Sequence, residues 1–101
     1  MYIDDVIECI YQSIQIVKSK KVSKNINILT GKSISIDYLA ERISKITNND
    51  SKKIYKKLQP GDPIKSEGTS KTLRDFLLIN NKNFTSIDEG LKKTITYIRE
   101  A

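Results

Sequence analysis

The chain has 101 residues, 38% hydrophobic and 30% charged, with 18 basic against 12 acidic side chains and a net charge of +6. That size sets one domain, residues 1–101, expected to bury ~60–65% of the surface its unfolded form would expose, and no run approaches the ~18 apolar residues of a membrane helix. With no histidine and a single cysteine, Cys9, an internal disulfide, Cys/His zinc chemistry and a Ser-His-Asp triad are all excluded.

The first residues, Met1-Tyr2-Ile3-Asp4-Asp5, carry two acids where a signal peptide would carry positive charge, so the chain reads as cytoplasmic. Across residues 4–18, Val6, Ile7, Ile10, Ile14 and Val17 recur at three- and four-residue spacing, with Asp4 or Asp5 as the N-cap: an amphipathic helix. Cys9 lies within it, has no neighbouring base, and reads as a buried small hydrophobe. After a basic connector, Asn25-Ile26-Asn27-Ile28-Leu29-Thr30 alternates polar and apolar up to Gly31, which predicts a strand and a turn.

Ser35 opens a second helix with Ile36, Leu39, Ile43 and Ile46 on one face, ending at Thr47-Asn48-Asn49-Asp50. Residues 53–58 read as a second, short strand, stopped by Leu58-Gln59-Pro60-Gly61-Asp62-Pro63-Ile64 because proline cannot donate to a ladder. Thr69 or Ser70 then caps a short helix carrying Leu73, Phe76 and Leu77, and Ser86-Ile87-Asp88-Glu89 has capping-box spacing for a last helix with Ile87, Leu91, Ile95 and Ile98 as its buried stripe. Gly90 inside that helix costs ~1 kcal/mol relative to alanine unless neighbouring backbone packs against it. The fold class expected is α/β, an α+β-like unit of about four helices and two short strands. Two strands alone make a marginal sheet, so the unit reads as part of a larger architecture.

The residues four after Tyr2, Tyr11, Tyr38, Tyr55 and Tyr97 are Val6, Gln15, Arg42, Gln59 and Ala101, so no Tyr-x-x-x-Lys pair is present. Glycines 31, 61, 68 and 90 are too far apart for a dinucleotide turn, and no P-loop occurs. The acid pairs Asp4/Asp5 and Asp88/Glu89 sit at helix starts, where capping accounts for them. Only Arg42, Arg74 and Arg99 among the basic residues are arginine, and the lysines are scattered, which weighs against nucleic-acid recognition.

In order along the chain, YIDDVIECI, NINILTG, SISIDYLAERISKIT, LQPGDP, TSKTLRDF and FTSIDEGLKKTITYIRE resemble the C-terminal, substrate-binding part of extended short-chain dehydrogenase/reductases of the nucleotide-sugar epimerase and dehydratase family. UDP-glucuronate 4-epimerases are the nearest members. The resemblance covers nearly all of the chain and about the last third of such an enzyme. It implies that NAD and the Tyr-x-x-x-Lys pair belong to an N-terminal Rossmann half, so that this segment holds no cofactor and no catalytic residue. It also implies that Asp62 of the PGD loop hydrogen-bonds a uridine ribose, with Gln59 where many relatives place an arginine on the diphosphate.

Three departures stand out. The family's Arg-Asp-Phe lead-in before the YIDD motif is replaced by Met1, Lys65-Ser66-Glu67-Gly68-Thr69 replaces an aromatic-Ala-Asp, and Leu77-Leu78-Ile79-Asn80-Asn81 stands where the family shows a Leu-Gly-Phe turn. The resemblance implies a truncated epimerase substrate domain, inactive alone, with weak UDP-sugar binding or a role in completing a split enzyme. Exposure of Val6, Ile10, Ile14 and Val17 would then favour a homo-oligomer or a complex with a separately encoded Rossmann half. The alternative is a small basic interaction module for an acidic partner or nucleic acid, with no membrane partner in either case.

Overall fold

The computed structural model describes residues 1–79 and 82–101. Four helices follow one another: α1 (Ile3–Ser19), α2 (Ile36–Thr47), α3 (Lys71–Leu77) and α4 (Ile87–Glu100). Serine caps open two of them. The Ser35 hydroxyl accepts the Tyr38 N–H at 3.0 Å, and the Ser86 hydroxyl accepts the Glu89 N–H at 3.2 Å. At the other end of α2, Asn48 takes the left-handed conformation at φ 52°, with Asn48 N–H bonded to the Lys45 carbonyl and Asn49 N–H to that of Ser44. This is a Schellman closure, which asparagine tolerates better than most residues. α1 starts differently: Tyr2 is its N-cap and offers no side-chain bond, while Asp4 and Asp5 fall in the first turn.

The expected α/β class is incorrect, because the described residues contain four helices and no strand. The period-two pattern of residues 25–30 is real, since Ile26 and Ile28 are half-buried and Asn25 and Asn27 exposed. Yet among the described residues no backbone hydrogen bond joins this segment or residues 53–58 to a neighbour. Alternation places side chains on two faces, but a strand also needs a second backbone to satisfy its N–H and C=O groups. Ile26 and Ile28 pack instead on the helical core. Residues 53–58 stay exposed, tethered by the Tyr55 hydroxyl, which donates to the Asp37 carboxylate at 2.7 Å.

Packing is pairwise, α1 against α3 and α2 against α4. In the first pair Cys9, Leu73 and Leu77 are buried, with Ile16, Ile26, Ile28, Phe76, Ile79 and Phe84 packed around them. The face of α1 turned inward therefore runs through Asp5, Cys9 and Ile16; of the stripe whose exposure the resemblance implied, Ile10, Ile14 and Val17 are exposed, with Ile7 beside them, and Val6 is half-buried. α4 departs from expectation, because Ile98 is exposed and Gly90 is its one buried residue among those described. A Cβ at Gly90 would lie 3.4 Å from Cδ2 of Tyr2, so a ring, rather than backbone, occupies the space.

The resulting molecule is loosely built. It exposes 8600 Å², against about 5,800 Å² for a compact monomer of its mass. Its radius of gyration is 17.0 Å, against ~13 Å for a typical domain of this length. Folding thus hides about half of the unfolded surface rather than the ~60–65% expected from length. Residues 48–69 are exposed throughout and account for much of the excess.

Candidate functional site

Gln59-Pro60-Gly61-Asp62 forms a tight turn in which the Asp62 N–H donates to the Gln59 carbonyl at 3.1 Å. Proline at the second position and Gly61 at the third, with φ +90°, match a type II turn, whose third residue needs positive φ. Both predicted binding residues are thus brought together by backbone, at the two ends of one turn. Both are exposed. Among the described residues, no hydrogen bond or ion pair engages the Asp62 carboxylate or the Gln59 amide.

The long arm carrying this turn is fastened near its ends. The Ser33 hydroxyl donates to the Ser66 carbonyl at 3.1 Å, and the Tyr55 hydroxyl holds Asp37. A Cβ at Gly68 would lie 2.5 Å from Cδ1 of Leu29, so the arm rejoins the body closely there. Gly31 lies against Ser70, where a Cβ would sit 3.0 Å from the hydroxyl oxygen, and its φ of +80° makes this a second turn that favours glycine.

Separately, a cavity of about 310 Å³ opens where the chain's start meets the start of α4, with Tyr2, Lys32, Ile34, Ile87, Leu91 and Thr94 among its lining residues. Neither Gln59 nor Asp62 lines it. Its volume is at the lower limit of small-molecule pockets. The lining includes Lys32 and several hydroxyls, of which Ser86 caps α4, Thr94 donates to the Gly90 carbonyl at 2.8 Å, and Thr30 donates to that of Lys32 at 3.4 Å. No carboxylate lines it.

Two tertiary latches fasten the start of α4 to other helices, and neither was foreseen from the residues. Asp5, buried, accepts the Thr85 N–H at 2.9 Å, and this bond joins α1 to the lead-in of α4. Arg42 grips Asp88 with two bonds, Nε to Oδ1 at 2.7 Å and Nη2 to Oδ2 at 2.6 Å. The hydrogen bond that Arg42 donates to the Asp88 carboxylate raises the Arg42 pKa. One acid of each pair assigned to helix capping is therefore spent on a distant partner. Arg74 organises the exit from α3 similarly, donating to the Ile79 and Lys82 carbonyls and lying 4.6 Å from the Phe84 ring centroid.

Gly31 and Gly61 serve separate turns, Gly68 meets Leu29, and Gly90 lies within α4, so among the described residues no glycine-rich turn leads into a helix that could hold a dinucleotide pyrophosphate. No group of three or more acidic or cysteine side chains that could hold a metal occurs among the described residues. No helix among them is long and apolar enough to cross a membrane. Compared with known proteins, the chain matches no family model, no curated protein and no solved structure.

Proposed function

We propose that the chain is a substrate-side domain of nucleotide-sugar epimerase type, which binds the uridine end of a sugar nucleotide and does not transform it. The turn from Gln59 to Asp62 carries the reading: it presents an unengaged carboxylate at the position where the family resemblance expects a ribose ligand. A ribose diol bonds to a carboxylate through two donated hydrogen bonds, and such charge-assisted bonds are roughly twice as strong as neutral ones. The conformation of Leu78 adds support. It holds φ 56°, in the left-handed region that glycine adopts freely, where the resemblance places a Leu-Gly-Phe turn. C4 inversion needs a hydride carrier and an acid/base, which the family resemblance assigns to a Rossmann half, so turnover would fall to that half.

Titration of UDP or UDP-glucuronate into isotope-labelled protein tests this. Amide shifts confined to residues 58–64 are expected at millimolar ligand, and their loss in Asp62→Ala. A silent spectrum at that concentration removes the reading, as does NAD-dependent epimerisation by the purified chain.

A second reading, a basic interaction module, draws on residues 52–57, Lys-Lys-Ile-Tyr-Lys-Lys. All six are exposed, and among the described residues none of the four lysines makes an ion pair. Binding to unrelated DNA or RNA that weakens steeply with salt would favour it.

A further inference from the structure

The exposed face of α1 is a seam. Ile3, Ile7, Ile10, Ile14 and Val17 follow one another at intervals of four, three, four and three residues, and each is between 48% and 58% exposed. This is the alternation of core positions in a helix-pairing heptad. It lies apart from the Asp5, Cys9 and Ile16 face that α1 turns toward α3, and among the described residues nothing covers it.

We infer that α1 pairs with α1 of a second copy in antiparallel orientation, about a twofold axis passing Tyr11. Charge selects both the occupant and the direction. The first turn of α1 holds Asp4 and Asp5, followed by Glu8, while Lys18 lies in the last turn and Lys20 and Lys21 come directly after the helix. Asp4 and Lys18 are exposed, flank the same edge of the seam, and stand seven residues on either side of Tyr11. A twofold through Tyr11 therefore sets Asp4 of each copy beside Lys18 of the other. It also opposes the helix dipoles, which is the favourable arrangement. Parallel pairing would instead set Asp4 against Asp4 and Lys18 against Lys18, like charge against like.

The interface is small. A 17-residue helix is about 25 Å long and ~10 Å across, and it covers less than the ~800 Å² per partner of a standard stable interface. The dimer is accordingly expected in the micromolar range or weaker. Apolar seams of this kind supply the attraction and the flanking charges the register.

Analytical ultracentrifugation of the full chain over a concentration series tests the pairing. A monomer–dimer equilibrium is expected, lost in Ile10→Asp, an exposed position whose change leaves the helical circular dichroism intact. Asp4→Lys should raise the dissociation constant roughly tenfold, since it turns two symmetric attractive pairs, each worth about 2- to 5-fold, into repulsive ones. Asp4→Lys combined with Lys18→Asp should restore it. Direction is read by cross-linking: under mild oxidation Tyr11→Cys should give a disulfide-linked dimer and Ile3→Cys should not. A chain that stays monomeric at millimolar concentration overturns the inference. So does Ile3→Cys cross-linking as readily as Tyr11→Cys, or a seam that is covered only when a nucleotide-binding half is supplied in trans.

Discussion

Replacing Leu78 with glycine should stabilise this protein relative to replacing it with alanine. Leu78 ends α3 with φ 56° and ψ 41°, and the Arg74 carbonyl accepts both its N–H and that of Ile79, the latter at 3.0 Å. A residue with a Cβ pays ~1–2 kcal/mol to sit in the left-handed region, whereas glycine loses an extra ~0.5–1 kcal/mol of chain entropy. The leucine side chain is 83% exposed, so both substitutions forfeit little burial and the comparison isolates the backbone. Leu78→Gly should therefore exceed Leu78→Ala by ~0.5–1 kcal/mol, or ~2–8 °C in melting temperature for a domain of this size. Urea titrations of the two variants, followed by helical circular dichroism, measure the difference. If alanine proves equal to or better than glycine, Leu78 is not held left-handed, and the turn no longer supports the family resemblance.

Leu73 is 2% exposed at the centre of the α1–α3 contact. Leu73→Ala should cost ~2–4 kcal/mol, toward the lower part of the range for such truncations because its half-buried neighbours can close in, and the urea midpoint reads it. Asp5→Ala leaves the Thr85 N–H without its acceptor and should cost ~1–3 kcal/mol, with Thr85 amide exchange accelerating beyond that of the helix interiors. Burial holds the Cys9 thiol above the usual thiol range. Its folded pKa being raised, the native state keeps a proton that the unfolded chain releases. The contribution of Cys9 is therefore complete below the unfolded thiol value of ~8.5 and shrinks as pH rises beyond it. The stability difference between wild type and Cys9→Ala should narrow between pH 8 and 10, and a constant difference would contradict this. The same burial should make Cys9 react with thiol reagents at least about tenfold more slowly in native protein than in urea.

Helix starts and stops were legible because their causes lie within a few residues. Ser35 and Ser86 cap donors three positions away, and Asn48 and Asn49 close α2 by donating to carbonyls three and five residues back, respectively. Glycine and proline likewise announced the turn at Gln59–Asp62. The direction in which each helix faces was not legible in the same way. α1 carries apolar residues around much of its circumference, and the periodic set with the most isoleucine proved to be the exposed one. α3 meets α1 through Cys9 and Ile16 instead, beside a carboxylate that a residue pattern assigns to solvent.

Local chemistry along the chain was enough to determine four helices, the serine caps of α2 and α4 and one proline-glycine turn, since such features close over spans of three to five residues; the N-cap of α1 fell at Tyr2 instead of Asp4 or Asp5. Whether residues 25–30 and 53–58 became strands depended on a partner backbone being within reach, and none is among the described residues. The latches from Asp5 to Thr85 and from Arg42 to Asp88 join positions 80 and 46 residues apart. Over such separations a charge carries no mark of its partner, and only the packed arrangement of the helices brings the two together.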